Sequence, residues 1–244
     1  MLNALPRLFW VRSSFKISLE SFCGMKNSSS IADQVHRKFS SMPDAKHIAT
    51  LVNIRRIVDL CMIQKPDRVL ELGGGIGAIS YAILACSDAF LDIYEDNLFC
   101  QDRLRENLKD FEGRYSIIPT YRMLPPEREY DLMIIDGGQK ELYHPEWFYV
   151  RYLDNLRSIY IEGKRRSQYA WVSKGLFPHY AFVVEKIPDQ IIGGSFYKGG
   201  TLIQCRKSAN ILGSFARYLY YRIREDFLLD RLIKFLKRKI IRSV

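Results

Sequence analysis

No apolar run in the 244 residues approaches the roughly 18 that a bilayer-spanning helix needs, which argues against an integral membrane protein. The five cysteines (Cys23, Cys61, Cys86, Cys100, Cys205) form no C-x-x-C pair and keep no regular spacing. That pattern excludes a recognisable zinc site or disulfide framework and suits buried thiols in a reducing, cytoplasmic setting. There is no internal repeat and no recognisable RNA-binding motif, so nucleic acid is disfavoured as a partner. The net charge of +10 does not revive it, because from Ala209 onward nine Lys or Arg stand against three acids. Residues 1–208 are left with only +4.

Three regions follow from the pattern. Residues 1–43 form a leader that is basic, acid-poor and Ser-rich around Ser28-Ser29-Ser30, the composition of an organellar transit peptide or of a loosely ordered extension. Residues 44–208 form the folded domain. Ile48, Leu51, Ile54, Ile57 and Leu60 recur near helical spacing and predict an amphipathic helix over 45–62. Beyond the Lys65-Pro66-Asp67 break, strands are expected at 68–72, 90–94, 115–118, 131–135, 158–161, 181–186 and 201–205. Helices are expected at 76–86, 98–108, 145–153 and 165–176. Such alternation means crossover units and a doubly wound, mostly parallel α/β sheet of seven strands. Residues 209–244 complete the chain as a basic amphipathic helix.

Val69-Leu70-Glu71-Leu72-Gly73-Gly74-Gly75-Ile76-Gly77 is a buried strand running into a glycine turn and a helix. Glycines belong there because the backbone must turn tightly and approach a ligand with no Cβ in the way. Glu95, twenty residues beyond Gly75, ends the next strand, where a carboxylate can accept hydrogen bonds from both ribose hydroxyls. Gly73-x-Gly75-x-x-Ala78 also fits a dinucleotide fingerprint. Glu71 argues against it, since a carboxylate beside the turn would repel a pyrophosphate but attract a cationic ligand. The helix ahead of the first strand points the same way.

Glu71-x-Gly73-x-Gly75-x-Gly77, Glu95 and the run from Tyr130-Asp131 to Ile135-Asp136-Gly137-Gly138 resemble class I S-adenosylmethionine-dependent methyltransferases. The strand ending in Ile-Asp-Gly is similar to small-molecule O-methyltransferases of that class. The resemblance covers about residues 45–207. It implies S-adenosylmethionine as cofactor, with Glu71 on its amino group, Gly73, Gly75 and Gly77 lining it and Glu95 on its ribose. Asp136 would face the transferred methyl or the substrate. The stretch Ile118-Pro119-Thr120-Tyr121 carries no carboxylate for the adenine, which leaves backbone or Tyr121 to recognise it. An Asp136/Glu162 pair has carboxylates for Mg2+ but lacks a third ligand, so the metal is not favoured.

The candidate catalytic residues are Asp136 and His144, both beyond a strand's carboxyl end, where open α/β sheets place their sites. His144 suits a general base toward a hydroxyl, or else simply a helix start before Pro145. Lys164-Arg165-Arg166 suits a phosphate or carboxylate on the substrate, or a solvated helix start. In the tail, Leu229, Ile233, Leu236, Ile240 and Val244 line one face among basic residues. That face is suited to an anionic membrane surface, making the protein peripheral, or to packing on the domain or a second subunit. The expected activity is methyl transfer to a hydroxyl of a small molecule or glycoconjugate. The rivals are a nicotinamide-dependent oxidoreductase and a non-catalytic protein that keeps the fold and docks to a membrane or partner.

Overall fold

Short apolar runs bounded by Pro, Asp and Gly become the strands of a central sheet in the computed structural model, which describes residues 22–43, 45, 48–137, 145–163, 165–192, 194–208 and 210–225. The chain opens with α1 (Phe22–Ser40) and α2 (Leu51–Gln64), followed by β1 (Arg68–Leu72), α3 (Ala78–Cys86), β2 (Phe90–Tyr94) and α4 (Leu98–Asn107). A 3-10 turn at Lys109–Phe111 leads to β3 (Tyr115–Ile118) and β4 (Leu132–Ile135). Next come α5 (Pro145–Tyr152), β5 (Ser158–Glu162), α6 (Arg166–Leu176) and β6 (Tyr180–Ile187). A small hairpin of β7 (Gln190–Ile192) and β8 (Ser195–Tyr197) precedes β9 (Gly200–Lys207) and α7 (Ile211–Glu225). The hairpin lies within a stretch that the sequence presents only as a Gly-rich loop.

The seven-stranded sheet runs β3-β2-β1-β4-β5-β9-β6, parallel except for β9, which is antiparallel to both β5 and β6. The order reverses between β1 and β4, and open α/β sheets bind ligands at the carboxyl ends of strands around such a switch. Because side chains alternate faces, Val69, Leu91, Ile93, Leu132 and Ile134 pack with α1 to α4 on one side. Leu70, Leu72, Tyr94, Met133, Ile135 and Ile159 pack with α5 and α6 on the other. Glu71 takes its place in the first row, facing α3.

Half of the segment that reads as a leader belongs to this core. Ala32, Val35 and Phe39 are buried, at helical spacing i, i+3, i+7, within the cluster formed by α2 and α3. Asp33 pairs with Arg55 of α2 at 2.8 Å. The three apolar residues are masked in the sequence by the serines and charges around them. Residues 1–21 lie outside the described structure. In the tail, α7 packs on β6 and the loop before it, with Tyr218 stacked on Phe177 and Tyr221 on Phe182. It leaves Leu212, Phe215 and Leu219 exposed. Residues 226–244, with the apolar line from Leu229 to Val244, lie outside the described residues. Among those described, no helix is long and apolar enough to cross a membrane.

Truncating Phe39 should leave a cavity under α1, so Phe39→Ala is expected to lower unfolding free energy by about 3–5 kcal/mol. Urea denaturation checks this. A loss under about 1 kcal/mol would show that α1 does not belong to the cooperative domain.

Candidate active site

The site is built where two backbones cross. Gly73 and Gly74 donate their N–H groups to the Tyr94 carbonyl at 2.9 and 3.2 Å. Asp136 and Gly137 donate theirs to the Leu72 carbonyl at 3.0 and 2.7 Å. A Cβ on Gly73, which has φ +93°, would stand 2.2 Å from the Gly137 Cα. Only glycine fits on both sides of such a crossing. Gly75, at φ +52°, faces open space, with nothing within 4 Å of the position of a Cβ. Gly77 (φ +96°) ends the turn, and α3 begins at Ala78, two residues later than the apolar pattern suggests.

Three carboxylates surround this turn. Glu95 accepts from Gly75 N at 2.7 Å through Oε2 and from Asn97 N at 2.9 Å through Oε1. The twenty-residue spacing thus closes as a direct bond between strand end and turn. A carboxylate has about four lone-pair positions, so Glu95 retains acceptor capacity for a ligand. Burial raises its pKa against the opposing effect of those two amides.

Glu71 underlies the turn with no exposed surface. Its Oε2 accepts from Ser80 Oγ of α3 at 2.5 Å. Its Oε1 is buried and has no hydrogen-bond partner among the described residues. Burial pushes the carboxyl up to about 8, moderated by the Ser80 bond and reinforced by the charges of Asp136 and Glu95.

Asp136 ends β4 at the rim of the crevice with 23% of its side chain exposed, and its Oδ1 lies 3.3 Å from an Arg165 guanidinium nitrogen. The same nitrogen stands 3.5 Å from Glu162 Oε2. Burial and the neighbouring Glu162 push the Asp136 carboxyl up to about 7, while Arg165 draws it down. One Arg165 nitrogen is thus within reach of both acids. No group of three or more His, Cys, Asp or Glu among the described residues is placed to hold a metal.

Several supporting residues gave no sequence signal. Asn53 of α2 donates to Glu162 Oε1 at 2.8 Å and to the Lys198 carbonyl at 3.1 Å, fixing the end of β5. Gln168 donates to the Gly137 carbonyl at 2.8 Å and steadies the loop after β4. Tyr94 stacks between Tyr121 and Tyr149, with centroids 5.5 and 5.0 Å away. The hydroxyl of Tyr121 donates inward to the Tyr94 carbonyl at 3.4 Å. Tyr121 is thus held beside the glycine crossing, its hydroxyl 3.1 Å from the position of a Cβ on Gly137. His144, Gly138 and Gln139 lie outside the described residues.

No protein-family model matches the chain, and no curated protein matches it in sequence. Solved structures do match in fold. An O-methyltransferase from Bacillus cereus in complex with S-adenosylhomocysteine (SAH) is 13% identical, with 72% of this chain and 91% of that chain covered and a TM-score of 0.53. The O-methyltransferase from Streptomyces achromogenes involved in tomaymycin synthesis, in complex with S-adenosylmethionine, is 16% identical, covering 72% and 88% at TM-score 0.51. Precorrin-6y C5,15-methyltransferase from Geobacter metallireducens is 16% identical, covering 70% and 95% at TM-score 0.53. The chain has the Rossmann-like fold of class I S-adenosylmethionine-dependent methyltransferases, as the glycine and Asp-Gly motifs led us to expect.

The two inner glycines should respond differently to alanine. Gly75→Ala meets only the cost of a left-handed residue, about 1 kcal/mol. Gly73→Ala adds a backbone collision and is expected to cost at least about 3 kcal/mol, read by thermal or urea unfolding. Equal costs would contradict the crossing.

Glu71 makes a second prediction. A raised carboxyl is held protonated by the folded state, so its contribution to stability is complete below about 4.5 and is lost as pH rises through about 8. Glu71→Gln should match wild type near pH 4.5 and exceed it at pH 9 by on the order of a few kcal/mol. Parallel stability–pH curves would refute the buried ionisation.

Proposed function

We propose that the protein is an S-adenosylmethionine-dependent methyltransferase acting on a hydroxyl of a small molecule or glycoconjugate. The observation that carries the proposal is the ring of three carboxylates, each with a raised pKa, around a glycine turn that is open at Gly75. Like charges gathered in a half-buried site are stabilised by a cation. S-adenosylmethionine brings two positive groups, an ammonium and a sulfonium. A dinucleotide brings a pyrophosphate and would add charge of the wrong sign. The orphaned Glu71 Oε1 and the open side of Gly75 are the features that fit the cofactor. When bound, the cofactor supplies a sulfonium methyl for transfer to a nucleophile.

The remaining work falls to the chain's own groups. Glu95 would accept the ribose hydroxyls while bracing the turn through Gly75. Glu71 would hold the cofactor's amino group through its unpartnered Oε1, and it anchors α3 through Ser80. Asp136 stands at the crevice rim with its carboxyl near neutrality, where a general base for a hydroxyl is most effective. Its Oδ atoms would take the acceptor's proton. Arg165 tunes and orients it, making Arg165 a positioning residue.

Calorimetric titration with SAH and, separately, NADH tests the assignment. SAH is expected to bind and NADH to remain silent. Glu95→Gln keeps an acceptor for the Gly75 amide but loses the charge, and should weaken SAH by tenfold or more, as expected for a lost charge-assisted bond of about 1.5–3 kcal/mol. Heat from NADH, or silence with SAH, would overturn the proposal.

A further inference from the structure

Beyond Asp136 the carboxyl end of the sheet carries a second depression, distinct from the glycine turn. A cavity of about 360 Å3 is lined by Arg165, Arg166, Tyr169, Lys186, Asp189 and Thr201, with glycines between them. A smaller one of about 350 Å3 adjoins it through Gly163, Arg165 and Asp189, adding Lys198 and Phe196 of the β7–β8 hairpin. Four cations from α6, β6 and the loop before β9 therefore border one depression. Two acids share the depression with them. Asp189 accepts from Gly199 N at 3.0 Å, and Glu162 from Asn53 and Arg165.

The cations are held in place. Lys186 lies 4.5 Å from the centroid of the Tyr169 ring and 3.3 Å from Thr201 Oγ1. Arg165 is fixed by the Glu162 carbonyl at 2.9 Å. The wall opposite α6 is equally fixed. A Cβ on Gly200 would come 2.5 Å from the Tyr160 hydroxyl, so β9 starts pressed against β5 and leaves the space above it clear. Arg165 belongs to both regions, with one nitrogen beside Asp136 and the rest of its guanidinium bordering the cavity.

We propose that the methyl acceptor carries an oxyanion, a phosphate or carboxylate, which seats between Arg166, Lys186 and Lys198 and so presents the reacting hydroxyl at Asp136. This deepens, and rests on, the methyltransferase reading. Guanidinium and ammonium donors are the usual partners of such groups, and a fixed cluster loses little entropy on binding. Phe196 would cover an apolar part of the same molecule.

The probes are phenyl phosphate, benzoate and phenol, titrated into the SAH-saturated protein and into the free protein. Phenyl phosphate or benzoate should saturate in the millimolar range or below, whichever binds more tightly naming the anion, while phenol does not. The double variant Arg166→Gln/Lys186→Gln should weaken the bound anion at least tenfold with SAH affinity held within twofold, and Lys186→Arg should restore part of the loss. Binding of phenol equal to the anions, no binding of either anion, or anion affinity indifferent to the double variant would overturn the inference. SAH failing to bind while phenyl phosphate still binds in the free protein would instead remove the methyltransferase reading and leave the anion pocket standing.

Discussion

The contact on which the rest of the molecule depends is the backbone crossing of Gly73 and Gly137. Two parallel strands, β1 and β4, end side by side, and the loops leaving them must diverge toward opposite faces of the sheet. They separate only after passing closer than any side chain permits. The carbonyls of Leu72 and Tyr94 collect the four amides released at this point. Buried backbone groups must be paired, so these bonds fix the direction of both loops. Glu95, Asp136 and the open side of Gly75 come together because of that constraint, and the Gly75 amide bonded to Glu95 at 2.7 Å closes the turn on the second strand.

The electrostatics follow from the same geometry. Glu71 occupies a position that alternation assigns to the core, in a row otherwise made of Val, Leu and Ile. A carboxylate there is costly to ionise, and its raised pKa records that cost. Stabilising it with a cation would relieve Glu71, Glu95 and Asp136 together. A site of this kind is poorly suited to a phosphate at the turn. A group of four cations borders the depression beyond Asp136. Negative and positive regions thus adjoin at one residue, and a substrate with complementary charges would be aligned by the pair of them.

Much of the sheet was legible in the residues. The strands at 68–72, 90–94 and 115–118 have the bounds that the apolar runs suggest, because strands of a parallel sheet read as short, mainly apolar segments. The glycine turn was legible for the same kind of reason, since glycine is required where φ is positive or backbones touch. Less legible was α1, whose core residues Ala32, Val35 and Phe39 are three among many serines and charges. The hairpin of β7 and β8 was hidden by its brevity. The stacking of Tyr94 between Tyr121 and Tyr149 joins three residues that no sequence pattern links.

The sequence by itself determined the order of elements, the turn and the strand-end acids, because local steric rules and two-residue or 3.6-residue periodicity act over short stretches of chain. Only the tertiary structure decided that one Arg165 nitrogen stands within reach of both Asp136 and Glu162. It alone brought Asn53, 109 residues away, to the end of β5. It alone assembled Arg166, Lys186 and Lys198 around two adjoining cavities. These associations join residues far apart in the chain, and their proximity depends on the crossing connections and antiparallel return of β9, which no local pattern encodes.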